Sequence, residues 1–134
     1  MKKVLERILY VEDDPDIQTI AMMVLETISG FIVKSCSSGA EAVAAAVEFR
    51  PDLILLDVMM PGMDGPKTLS ELRKFPSLTT TPVVFMTAKV QPQEVKDYLN
   101  LGAIGVIAKP FDPMSLAQEL RDIWGDFEVP GESQ

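Results

Sequence analysis

Leu53-Ile54-Leu55-Leu56-Asp57, followed by Val58-Met59-Met60-Pro61-Gly62-Met63-Asp64-Gly65, is an apolar run that stops on a carboxylate and gives way to turn residues. Four or five residues of Leu and Ile without alternation are the pattern of a strand buried on both faces, as in a parallel sheet between helices. Three more runs share the design. Ile8-Leu9-Tyr10-Val11 ends on Glu12-Asp13-Asp14, Val83-Val84-Phe85-Met86 on Thr87, and Gly105-Val106-Ile107-Ala108 on Lys109-Pro110. In open α/β sheets, ligands bind beyond the carboxyl ends of the strands. The carboxylates, hydroxyl and amine are therefore expected to gather at one sheet edge.

Strand and helix alternate five times along the chain, the mark of a βα parallel sheet. Asp14-Pro15 supplies an N-cap and a first-turn proline, and Ile17, Ile20, Ala21, Val24 and Ile28 then recur at helical spacing until Gly30. A second strand is expected over about Phe31–Ser35. Ser38 and Glu41 have capping-box spacing before an alanine-rich helix that Pro51 ends. A short helix is expected from about Pro66 to Lys74, and a fourth from near Pro92, with Val95, Tyr98 and Leu99 on one face. Asp112-Pro113 should open the last helix, striped by Leu116, Ala117, Leu120, Ile123 and Trp124, and Gly125–Gln134 reads as a frayed tail.

A chain of 134 residues, 47% hydrophobic and 24% charged, fits one globular domain with its own core. Its net charge of −8 argues against direct binding to DNA or RNA, where cationic side chains neutralise phosphates. Cys36 is the single cysteine, so no intrachain disulfide can form and a reducing compartment fits. Glu6 and Arg7 stand where a signal peptide needs its apolar centre, and no apolar run approaches the roughly 20 residues of a bilayer span. A cytoplasmic location without membrane insertion is the expectation. The absence of histidine excludes a histidine-based triad, a histidine-ligated zinc site and a phosphohistidine on this chain.

Asp57, whose carboxylate is expected to lie exposed at the sheet edge, could act as a nucleophile toward a phosphoryl group and form an aspartyl-phosphate. Glu12 and Asp13 would bring two further carboxylates nearby, and three such groups repel unless a cation joins them. An all-oxygen site with few protein ligands suits Mg²⁺, which keeps several waters and bridges to phosphate oxygens. Lys109 could pair with another phosphoryl oxygen and Thr87 could hydrogen-bond a third. Positioning and charge neutralisation are most of what phosphoryl transfer asks of a protein. Taken singly, Glu12 and Asp13 read equally as caps, Asp57 as a turn residue, Thr87 as a β-former and Lys109 as a surface amine. Their conjunction at successive strand ends favours the site.

With ILYVEDDPDI, PDLILLDVMMPGMDG, PVVFMTA and GVIAKPF in hand, the chain resembles the receiver domain of bacterial two-component response regulators, of the chemotaxis-regulator type, over about Arg7–Trp124. The resemblance implies a flavodoxin-like (βα)5 doubly wound sheet in strand order 2-1-3-4-5, with the receiver domain over 1–124 and a short tail over 125–134. It implies that Asp57 accepts phosphate from the phosphohistidine of a sensor histidine kinase or phosphotransfer protein. Asp13 and Asp57 would ligate Mg²⁺ directly with the backbone carbonyl of Met59, and Glu12 through water. Thr87 and Lys109 would hold the phosphoryl group, helped by the backbone of Val58 and Ala88, beside a cis Lys109–Pro110 peptide.

Members of that family commonly carry Tyr or Phe three positions before the lysine, where this chain has Val106, so an aromatic switch cannot operate there. Met59 and Lys89, two beyond the phosphoacceptor and two beyond the threonine, are expected to hinder water and lengthen phosphoryl lifetime. A phosphohydrolase of the haloacid-dehalogenase type is the enzymatic rival, but it needs a general acid where Met59 stands. A receiver-like docking module that is never phosphorylated should have lost part of the set, and none is lost. No glycine-rich nucleotide loop follows the first strand. No effector domain fits after Trp124, so the chain is expected to be either a single-domain regulator or an excised fragment. The resemblance implies output by docking on an unidentified protein target, through the exposed side of the fourth and fifth helices, or by passing phosphate onward.

Overall fold

The computed structural model describes residues 3–127. Five parallel strands, β1 (Arg7–Val11), β2 (Ile32–Cys36), β3 (Leu53–Asp57), β4 (Val83–Thr87) and β5 (Gly105–Ala108), lie in the order β2-β1-β3-β4-β5. Between and after them run α1 (Pro15–Met22), α2 (Gly39–Phe49), α3 (Gly65–Leu72), α4 (Pro92–Asn100) and α5 (Leu116–Asp126). The sheet order and helix count are those expected of a flavodoxin-like fold. β3 and β4 are buried at every position, as their unbroken apolar runs require of central strands.

Alternation along each strand divides the core into two layers. Ile8, Tyr10, Leu53, Leu55, Val84 and Met86 pack toward α1 and α5 with Ala21, Leu25, Leu116, Leu120 and Trp124. Leu9, Val11, Ile54, Leu56, Val83 and Phe85 face α2, α3 and α4 with Ala42, Ala46, Leu69, Leu72 and Tyr98. The two-residue period of the strand places neighbouring side chains in opposite layers. Cys36 is a buried free thiol and belongs to the second layer.

Several boundaries differ from the sequence expectation. Beyond Met22, α1 continues as a wider π-type turn over Met23–Ile28. Its longer spacing buries Val24 and Leu25 while Ile28 lies 63% exposed, breaking the predicted stripe, and Ile20 is also exposed. β2 starts one residue late, at Ile32, because Phe31 folds into the core. α3 ends at Leu72, before Lys74, and Leu99 on α4 is exposed. α5 begins at Leu116 rather than at Asp112-Pro113, since the Asp112 side chain instead accepts from Met114 N at 2.9 Å to make a turn. Gly125 and Asp126 are helical, so the expected tail is shorter there, and residues 128–134 of it lie outside the described residues.

Two features fix the loops at the carboxyl edge. Asp14 caps α1 by accepting from Asp16 N at 2.9 Å and Ile17 N at 3.3 Å. Gly65 opens α3 against the end of β3, where a Cβ would meet Asp57 O at 2.7 Å, and its N–H donates to Val58 O at 2.8 Å.

Candidate functional site

β1, β3, β4 and β5 deliver their terminal polar residues to one edge of the sheet. Register pairs Asp57 with Met86 and Thr87 with Ala108, so the end of β3, Thr87 and the residue before Lys109 lie in adjacent rows. One oxygen from each of Glu12, Asp13 and Asp57 lies within 4.8 Å of the others. Glu12 and Asp57 are almost wholly buried, while Asp13 is exposed; Asp57 is thus not exposed as expected, because the turn after β3 and the Lys109 side chain pack against its carboxylate. Lys109 Nζ lies 3.0 Å from Glu12 Oε1 and 3.2 Å from Asp57 Oδ2. Residues separated by up to 97 positions thus meet at the spot the strand ends foretold. The Lys109–Pro110 peptide is cis, as the resemblance implied.

Thr87 is 1% exposed, and its hydroxyl accepts from Lys89 N–H at 3.0 Å while its own proton is left to donate elsewhere. Met59 N–H donates to Asp57 Oδ1 at 3.3 Å, so the backbone after Asp57 curls back over its carboxylate. The Met59 side chain points outward, 65% exposed. Gln18 was not singled out in the sequence, yet its Nε2 donates to Glu12 O at 2.7 Å, Cys36 O at 3.3 Å and Ser37 Oγ at 3.2 Å. It ties the end of β1 to the end of β2 and orients the acidic turn. An isolated glutamine in the first turns of a helix carries no pattern that would reveal this.

Electrostatics distinguish the acids. Burial, opposed by Lys109 and reinforced by the nearby Asp57 carboxylate, pushes the Glu12 carboxyl up to about 7. Burial works against the Lys109 ammonium, but hydrogen bonds and attraction from Glu12 and Asp57 outweigh it and hold the amine above its ordinary value. The edge is therefore a crowded anionic pocket with one resident cation. Oxygen donors alone, three carboxylates within bridging reach, fit a hard divalent ion with ordinary Mg²⁺ preferences. An electrophilic anion could approach Asp57 only if that excess of negative charge were offset.

Comparison with known proteins follows the same line. The family model for the response regulator receiver domain matches residues 8–121. The DNA-binding response regulator MtrA of Mycolicibacterium smegmatis is 38% identical over 116 residues, covering 87% of this chain and 49% of the relative. The probable C4-dicarboxylate response regulator DctR of Halalkalibacterium halodurans is 35% identical over 111 residues, covering 82% of this chain and 47% of the relative. The chain thus spans about half the length of these curated relatives. Among solved structures, the chemotaxis response regulator CheY4 of Vibrio cholerae superposes with a TM-score of 0.82 at 29% identity, covering 90% of this chain and 99% of that one. The receiver domain of a signal transduction histidine kinase from Syntrophus aciditrophicus gives a TM-score of 0.76 at 33% identity, covering 96% and 98%. DNA binding is named for the first relative, so the expectation of no nucleic-acid contact, drawn from net charge, finds no support there.

Proposed function

This chain belongs to the response regulator receiver domain family, and from that premise we propose that Asp57 is a phosphoacceptor charged in the presence of Mg²⁺ by a phosphohistidine partner. The partner is a sensor histidine kinase or a phosphotransfer protein, since this chain has no histidine of its own. The reaction takes place in the cytoplasm and ends in altered binding to a downstream protein. Among the described residues no helix is long and apolar enough to cross a membrane. The observation that carries this reading is the convergence of Glu12, Asp13 and Asp57 within 4.8 Å with the Lys109 amine 3.2 Å from the proposed nucleophile.

An Asp57 carboxylate oxygen attacks the phosphorus as the N–P bond to the imidazole breaks, and the imidazole departs with the bonding pair and takes up a proton. Mg²⁺, when bound, neutralises the acids and the phosphoryl oxygens so that two anions can meet. Asp13 and Asp57 would hold it with the Met59 carbonyl, and Glu12 would act through water. Lys109, already within hydrogen-bond reach of Asp57, needs only a small shift to pair with a phosphoryl oxygen. The Thr87 hydroxyl donates to another, and the Val58 and Ala88 backbones flank the group. The chain carries out its own phosphorylation and dephosphorylation and turns over no separate substrate; Met59 cannot supply the general acid that a phosphohydrolase would need.

Incubation with Mg²⁺ and acetyl phosphate, read by intact mass spectrometry, should add one phosphoryl group to the wild type and none to Asp57→Asn. Equal modification of the variant, or none of the wild type at saturating Mg²⁺, would overturn the assignment.

A further inference from the structure

Beneath the acidic edge lies a buried polar atom with no task in phosphoryl transfer. Tyr10 is 0% exposed, and its hydroxyl has no hydrogen-bond partner among the described residues. Such an orphan is costly, because the water it gave up on folding is not replaced. Ser35 Oγ, on its register partner in β2, is the other buried side-chain oxygen in that condition among the described residues.

Strand register sets Tyr10 directly under the site. It pairs with Leu55 across β1 and β3, and Glu12 and Asp57 stand two residues beyond that pair, on the same face of the sheet. Two residues of strand advance about 6.6 Å, close to the length of a tyrosine side chain. Burial, reinforced by the charges of Glu12, Asp57 and Asp14, holds the phenol above its ordinary range, so it keeps its proton and stays a donor. Those three carboxylates all belong to the carboxyl edge, and the hydroxyl therefore lies toward the acids.

We propose that the Tyr10 hydroxyl is a standby donor to the Glu12 carboxylate, engaged when Lys109 turns to a phosphoryl oxygen on Asp57. Glu12 is almost wholly buried; its Oε2 accepts from Asp14 N at 3.2 Å and its Oε1 from Lys109 Nζ at 3.0 Å. Departure of the amine deprives Oε1 of that donor inside a pocket where an unpaired charged oxygen is expensive. The idle hydroxyl one row below needs only a small side-chain shift to replace it. Tyr10 touches neither the phosphoryl group nor the metal in this scheme, and acts by keeping Glu12 in place. The event that moves Lys109 rests on the phosphoacceptor reading; the exchange of one donor for another does not.

Tyr10→Phe keeps the ring and deletes only the oxygen. In free protein it removes an orphan, so thermal unfolding should lie about 3 °C above wild type. In a Lys109→Met background, where Glu12 has lost the amine, the same substitution should lower unfolding by about 3 °C. A packing role for the ring moves both in one direction, and Ser35→Ala, which deletes the neighbouring orphan, should show no reversal. Tyr10→Phe should also bind beryllium fluoride at saturating Mg²⁺ about fivefold more weakly, with affinity for Mg²⁺ alone within about twofold of wild type. An effect of one sign in both backgrounds, as when water serves Glu12 instead, or full beryllium fluoride affinity in Tyr10→Phe, would sink the proposal. Reversal in a protein that acetyl phosphate does not modify retains the donor exchange and rejects the phosphoacceptor reading; modification without reversal does the opposite.

Discussion

Met59, 65% exposed, stands two residues past Asp57, where a water attacking an aspartyl-phosphate would have to be held. An apolar chain offers that water no hydrogen bond, and the Lys89 cation, exposed beyond Thr87, supplies no base. Met59→Asn should therefore hasten loss of the phosphoryl group about tenfold, near 1.4 kcal/mol of barrier, measured as the decay of the phosphorylated mass after removal of acetyl phosphate. An unchanged decay rate would remove the idea. Glu12 predicts a pH effect with a definite sign. Its folded pKa, about 7, exceeds its ordinary 4.5, so in metal-free protein its contribution to stability is fully present below 4.5 and is lost as pH rises toward 7. A divalent ion needs the ionised form, so Mg²⁺ affinity should climb with pH up to about 7 and level off above. Calorimetric titration of wild type and Glu12→Gln tests both, because the variant should lose this dependence.

At the scale of elements, β1 and β3 are joined at their amino ends by one buried carboxylate. Asp52 accepts from Glu6 N at 3.0 Å and Arg7 N at 2.8 Å, and pairs with Lys3 Nζ at 2.7 Å. Burial opposes its charge, but Lys3 and the two backbone donors prevail and hold its carboxyl below the ordinary value. Asp52→Ala should cost about 1–3 kcal/mol in urea unfolding at neutral pH, since the two backbone donors lose their acceptor. The difference from wild type should shrink as pH falls below the ordinary carboxylate range, because a depressed pKa stabilises above the unfolded value and ceases to do so below the folded one. Elements also show where periodicity misled. Ile20, Ile28 and Leu99 lie at helical spacing and yet are exposed. The π-type turn rotates the α1 stripe, and no residue of α4 is fully buried. Spacing gives a face, but the depth to which that face is pressed depends on the neighbour across from it.

For the whole molecule, the acidic site is stable only as the fold holds its carboxylates together. A bound divalent ion should stabilise the native state by about 2.7 kcal/mol when its concentration is about 100 times its dissociation constant. Thermal unfolding in a Mg²⁺ series should show that rise in wild type and lose it in Asp13→Asn and Asp57→Asn; a rise of the same size in both variants would exclude these acids as ligands. Much of this architecture was legible along the chain. Unbroken apolar runs require strands covered on both faces, and each run's polar ending names a residue for the carboxyl edge, so the α/β class, the strand-end set and the capping of α1 by Asp14 followed from local pattern alone. Strand order came with the motif resemblance, and the hydrogen-bonded sheet displays it. What only the tertiary structure decided is every relation between distant residues: the Lys109 amine between Glu12 and Asp57, and Gln18 spanning two strand ends. Hydrophobic periodicity is a property of neighbours in sequence, whereas contact, burial and pKa depend on which parts of the chain the packed core brings face to face.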